Sequence, residues 1–271
     1  MDTSGQGQGV QEAGAYRAEL EFVVGLLHEA AAQALARARG IAPMEKSNLS
    51  YVTAIDHDLE RMFRDRLAEK FPDDSLTGEE YDEAGGSGPR RWSIDPIDGT
   101  GNMVHGLPLW AISVGLIDAG EPVLGAIIVP PLNELYTAVK GCGAWRAGER
   151  LHALDADEFH NQDNVCIGTN ALRTLDPRTL PGRLRDLGSA CCELVFVSSN
   201  RLQAAAFLGE GRHDVAAGAV IAAEAGCGFA TVDGRILTAA EFVGETPVKV
   251  PTFVAPPRRL KAIVAQARRF A

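Results

Sequence analysis

Nowhere does the 271-residue chain gather five or more basic residues, and 26 Lys and Arg against 36 Asp and Glu leave a formal charge of −10. That balance disfavours non-specific binding to nucleic-acid polymers or to anionic membrane surfaces. The most basic segment, PPRRLKAIVAQARRF, spreads its cations around an amphipathic helix and reads as a solvated face. No apolar run approaches the roughly 18 to 20 residues that span a bilayer. The opening MDTSGQGQGVQEAG has no basic stretch followed by an apolar one, so residues 1–14 are expected to be a disordered leader and not an export signal. Five cysteines, Cys142, Cys166, Cys191, Cys192 and Cys227, make no CxxC or CxxH pattern. An odd count leaves at least one unpaired, and the set is expected to be reduced core residues of a cytoplasmic protein. There is no internal repeat.

What is present is enough hydrophobic sequence, 46%, to bury a full core. Apolar residues at Leu20, Val23, Val24, Leu27 and Ala31 lie on one helical face, predicting a first helix over 15–39 that Gly40 closes. A second is predicted over 56–70, with Leu59, Met62, Phe63 and Leu67 on one side, stopping before Pro72. Between Arg91 and Trp145, short apolar runs separated by Gly and Pro predict an antiparallel meander. The polar stretch 152–164 reads as a passage between halves, and beyond it strand and helix patterns alternate. The fold class expected is a layered α/β sandwich in two lobes, 15–150 and 151–271, with a site in the cleft between them.

Within WSIDPIDGTGN, Asp95 and Asp98 follow an apolar strand and flank Pro96, which donates no ladder hydrogen bond. The chain is expected to leave a sheet edge there and to turn both carboxylates the same way. Two ionised carboxylates held close repel, so the pair must take up a proton or meet a cation. Oxygen-only ligands favour a hard ion such as magnesium. Glu79 and Glu80 of TGEE and Asp214 of RHDVAAG are further acids, and Gly99 with Thr100 leads to backbone N–H groups suited to an anion. Each motif alone also fits a plainer role, D-x-x-D-G-T as a helix-capping turn and GEE as an exposed acidic corner.

Taken together, VTAIDHDLE, FPDDSLTGEE, WSIDPIDGTGNMVHGLP, LRDLGSA and HDVAAGAVIAAEAG, in that order between about Leu20 and Gly228, resemble the inositol monophosphatase family of magnesium-dependent phosphatases. The resemblance implies an αβαβα sandwich and two or three Mg2+ ions. One ion would be held by Glu79, Asp95 and the carbonyl of Ile97, a second by Asp95, Asp98 and Asp214, and a weaker third would share Glu79. It further implies that Thr100, paired with Asp56, orients the attacking water alongside Glu79, while the amides of Gly99 and Thr100 hold the phosphate and Asp98 lies at the substrate. Arg185, Gly188 and Ser189 match a segment lining the substrate side. No covalent intermediate is required, so the lack of a Ser-His-Asp or Cys-Arg arrangement fits. The partners implied are a small phosphate monoester and a second copy of the chain in a homodimer.

Departures from the family pattern bear on the substrate. Ser50 stands where an aspartate is usual, which would weaken the third ion, and Lys46 resembles a lysine near that ion. Phe207 occupies the position, seven residues before Asp214, of the glutamate that contacts inositol hydroxyls. It would either pack on an apolar or aromatic part of the substrate, such as a nucleobase, or turn inward as core, and Glu210 would substitute if the loop is shifted. Gly101 and Met103 would leave room near the entrance, His105 reads as a turn residue, and His213 replaces the usual tryptophan. A sugar or nucleoside monophosphate is therefore expected first, followed by inositol monophosphate or histidinol phosphate. A non-catalytic sugar-phosphate or metal-binding regulator is the rival from another class.

Overall fold

The computed structural model describes residues 14–38, 44–45, 51–244, 246 and 248–270. The leader through residue 13, Lys46 and Ser50 lie outside them. The first apolar stripe becomes helix α1 (Arg17–Arg37), which buries Leu20, Val23, Leu26, Leu27, Ala30 and Ala34. Helix α2 (Ala54–Lys70) begins two residues earlier than its hydrophobic pattern suggests because Thr53 caps it. The Thr53 hydroxyl accepts from the Ile55 N–H, and Asp56 Oδ2 accepts in return from the Thr53 N–H at 2.8 Å.

The expected meander is present in the first sheet. Its main strands are β1 (Ser75–Gly78), β2 (Arg90–Asp98), β3 (Ala111–Asp118), β4 (Glu121–Val129), β5 (Glu134–Val139) and β6 (Gly143–Arg146). From β2 to β6 neighbours are antiparallel, whereas β1 lies parallel to β2 on its other side. The short helix α3 (Thr100–Val104) follows β2 directly. A second sheet holds β7 (Asn164–Ile167), β8 (Ala204–Phe207), β9 (Gly228–Thr231) and β10 (Thr252–Ala255) in the order β7-β8-β10-β9. The longer helices of this half are α4 (Ala190–Ser198), α5 (Arg212–Glu224) and α6 (Pro257–Gln266).

Three cores define five layers. Helices α1 and α2 bury their stripes against Ile94, Ile112, Val114 and Leu124 on the first sheet. The other face of that sheet meets α4 and α5, which also cover Ala205, Phe207 and Val254 of the second sheet. Leu260 and Ile263 of α6 close the far face over Ala204, Ala206 and Phe253. This αβαβα sandwich is the architecture the resemblance implies. The middle layer is unusually close: a Cβ at Gly115 or Gly125, on β3 and β4, would run into the backbone of Ala217 on α5. The alanine-rich sequence VAAGAVIAA lets the helix lie against those glycines, and Asp214 is carried at its first turn.

Candidate active site

A regular strand alternates its side chains, so residues three apart point to opposite faces. Asp95 pairs with Ser113 and Asp98 with Ala111, which sets three residue steps on β2 against two on β3. The extra residue is a bulge at Pro96–Ile97, and it brings both carboxylates to one side. The expectation of a sheet edge is thereby corrected. β2 lies inside the sheet between β1 and β3, and the bulge does the turning.

Parallel pairing sets Gly78 beside Ile94, so Glu79 emerges from β1 at the level of Asp95. Its loop is anchored by a fully buried carboxylate, Glu60, which accepts from the Glu80 N–H at 2.7 Å and from Arg64 at 2.8 Å. Asp214 arrives from the opposite layer as the third residue of α5, with Oδ2 accepting from the Gly211 N–H. Ligand atoms of Asp95, Asp98 and Asp214 lie within 4.8 Å of one another, as do those of Glu79, Asp95 and His213. Asp95 belongs to both groups.

Beside these acids, Thr100 Oγ1 lies 3.0 Å from Asp56 Oδ1 and 2.9 Å from the Ile97 carbonyl. Asp56 is itself completely buried. Gly99 links β2 to α3 with φ +88°, where a side chain would crowd the Leu109 and Gly188 carbonyls. Tyr51, Glu79, Asp95, Asp98, Gly99, Thr100, Gly101 and Asp214 border one cavity of about 180 Å³.

Electrostatics makes this cluster unstable without cations. Burial first, then the charges of Asp98 and Asp214, raise the Asp95 carboxyl well above the usual carboxylate range. Burial and Asp214 push Asp98 up to about 7, opposed by hydrogen bonds from the Ser189 hydroxyl and the Cys191 N–H. Asp95 is 1% exposed, and no donor group of the described residues reaches either of its oxygens. Burial and the neighbouring charges thus favour the protonated form of Asp95 over its carboxylate when no cation is bound. An all-carboxylate group with an orphaned, buried central member fits a hard divalent cation.

On the other side of Asp98 a second cavity, of about 210 Å³, is bordered by Gly168, Thr169, Asn170, Asp186, Gly188, Ser189, Glu193 and Glu210. Burial pushes Glu193 and Glu210 each up to about 8. Among the described residues, no Lys or Arg lines this cavity.

A sequence model described as the inositol monophosphatase family matches residues 17–271. The chain belongs to that family. Its members are metal-dependent phosphoric monoester hydrolases, and the acids gathered around Asp95 are the group that suits a metal here. Among similar proteins is a fructose-1,6-bisphosphatase/inositol-1-monophosphatase of Thermotoga maritima, 35% identical over 65% of this chain and 69% of its own. A histidinol-phosphatase of Chlorobaculum parvum is 35% identical over 62% of this chain and 67% of its own. Among solved structures, an inositol monophosphatase of Thermotoga maritima superimposes with a TM-score of 0.80 at 27% identity, covering 92% of this chain and 96% of that one.

Against the family pattern, the structure sorts the remaining residues. Gly188 and Ser189 line the second cavity, but Arg185 is exposed on the edge strand Arg183–Arg185, its guanidinium donating to the Leu184 carbonyl. Phe207 does not reach the cleft. It is 3% exposed on β8, with its ring edge-on to Phe242, because β8 turns Ala205 and Phe207 toward the helix layer. Glu210, three residues on, borders the cavity instead. Met103, on the buried side of α3, is likewise core and opens no entrance. Gly101 does border the first cavity, and His105 is an exposed turn residue against Tyr51. Sequence reasoning missed Glu60, Glu193 and Asn102. The Asn102 amide donates to the Leu109 carbonyl at 2.6 Å and the Leu187 carbonyl at 2.7 Å, tying α3 to the loop that borders the second cavity. An asparagine two residues past DGT was the available signal.

Proposed function

We propose that this family member is a magnesium-dependent phosphomonoesterase acting on the monophosphate of a small hydroxylated metabolite, a sugar, nucleoside or inositol. The observation that carries the reading is Asp95, buried, without a donor, and common to two ligand groups. Asp95, Asp98 and Asp214 would hold one ion, and Glu79 with Asp95 and the Ile97 carbonyl a second. Bound divalent ions supply neutralisation of the phosphate charge and a water made acidic enough to attack.

The chain's own groups do the positioning. By donating to Asp56, the Thr100 hydroxyl keeps its lone pairs free to take a hydrogen bond from water, and Glu79 stands across the same cavity. The first N–H groups of α3 have no acceptor inside the helix and are available to phosphate oxygens. Ser189 and Cys191 fix Asp98 from the opposite layer. The departing alcohol would sit in the second cavity, where Thr169, Asp186, Glu193 and Glu210 offer acceptors to its hydroxyls.

The acidic lining favours one further reading, histidinol phosphate, whose leaving alcohol bears a cationic amine. Phosphate release from a panel of inositol, sugar, nucleotide and amino-alcohol phosphates, with and without magnesium, tests both. Magnesium-dependent release is expected, with the preferred leaving group choosing between them. No turnover on any substrate despite bound metal would turn the reading to a non-catalytic sugar-phosphate or metal-binding regulator.

A further inference from the structure

His213 precedes the last metal-binding aspartate, where a tryptophan is usual for the family, and the structure carries its imidazole into the acidic cluster. A ligand atom of its ring, one of Glu79 and one of Asp95 lie within 4.8 Å of one another. The ring also approaches Asp214, with Nε2 3.4 Å from Oδ1. Gly211 makes room for this rotamer, since a Cβ there would collide with His213 Cε1 at 2.6 Å. The imidazole is half-buried, and its carboxylate neighbour Asp95 has two buried oxygens that no donor satisfies. A ring nitrogen and two carboxylates thus converge on the point where Asp95 lacks a partner.

We infer that Glu79, Asp95 and His213 form a mixed nitrogen and oxygen site for a first-row transition cation such as Mn2+, next to the all-oxygen group Asp95, Asp98 and Asp214. The inference rests on the metal-dependent reading above. Mg2+ is a hard ion that takes oxygen donors and parts reluctantly with its waters, so a nitrogen donor adds little to its binding. The ions after Mn2+ in the first-row order take imidazole readily, and Mn2+, though it keeps a preference for carboxylate, stands at the start of that order and gains more from a nitrogen donor than Mg2+ does. The two groups share Asp95, so one carboxylate would bridge unlike ions: a borderline cation on the Glu79 side and magnesium on the Asp98 side. A tryptophan at position 213 offers no ligand atom, and the substitution changes the donor set without changing any acid.

The test reads the metal and not turnover. The full chain is loaded with two equivalents of Mn2+ and its electron spin-echo modulation is recorded, alongside His213→Gln. A nitrogen-14 coupling is expected in the native protein and absent from the variant. In Mn2+ binding competed by Mg2+, the variant should lose about tenfold or more in Mn2+ affinity and keep its Mg2+ affinity. Mn2+ bound without nitrogen coupling in the native protein, or a coupling unchanged in His213→Gln, would overturn the inference and leave the phosphatase reading standing. Failure of either cation to bind would overturn both.

Discussion

Replacing Asp98 with asparagine should move stability and activity in opposite directions. The Asp98 carboxyl, ordinarily at 3.8, is pushed up to about 7 by burial and by Asp214. Between those two values the folded chain binds more protons than the unfolded one, so metal-free stability falls as pH rises through that window. At ~1.4 kcal/mol per unit, holding Asp98 ionised at pH 8 costs on the order of 4 kcal/mol. Asparagine removes that charge. Its amide oxygen can take the place of Oδ2, which accepts from both Ser189 and Cys191, but as a neutral acceptor it weakens those bonds and returns about 1 kcal/mol of the gain. In chelator at pH 8 the variant should therefore melt above the native protein, by about 5–10 °C for a chain of this size. At pH 4 the difference should vanish. Adding magnesium should raise the native melting point by more than the variant's, which keeps only the ion on the Glu79 side, while phosphate release is abolished. A metal-free variant that melts at or below the native protein at pH 8 would refute the account of repulsion in this cluster. Near-normal turnover at saturating magnesium would refute the ligand assignment.

Phe207→Ala should destabilise the fold by about 3–5 kcal/mol in denaturant titration, as loss of a buried ring does, with ratios between substrates unchanged. A shifted substrate ratio at native stability would instead place the ring in the pocket. Gly125→Ala forces a methyl against the Ala217 backbone, which has no side chain to swing aside. It should cost about 1–3 kcal/mol and weaken magnesium binding, because α5 carries Asp214. Native stability with native affinity would show that the helix does not set that ligand's position.

How much could be read beforehand depended on whether a feature is local. Stripes on α1 and α2 and the meander follow from short-range spacing and formed where expected, and Glu79 of GEE and both acids of DPIDGT, read from local motifs, lie in the two carboxylate groups. The bulge at Pro96–Ile97 was anticipated only as a change of direction, since its count of three steps against two depends on pairing with β3. Phe207 was assigned by counting back from Asp214, but strand parity on β8 decides which face it takes, and that parity comes from the layer it covers. Strand β10, between prolines in VPTFVAPP, passed unread because its partners β8 and β9 are distant in sequence. His213 was visible as an unusual residue, yet its direction is set by the space that Gly211 leaves.

The contact of Gly115 and Gly125 with Ala217 has an evolutionary consequence. The position of Asp214 is referenced to backbone pressed on backbone, and that of Asp95 and Asp98 to a bulge in the same sheet. The cavity beyond Asp98, by contrast, is furnished largely by connections around the second sheet, such as the short helix that begins at Thr169 and the loops holding Asp186 and Glu210. Mutations can refurnish that room one side chain at a time without disturbing the frame that holds the acids. A single architecture divided in this way can inherit its reaction unchanged while descendants part company over what they hydrolyse.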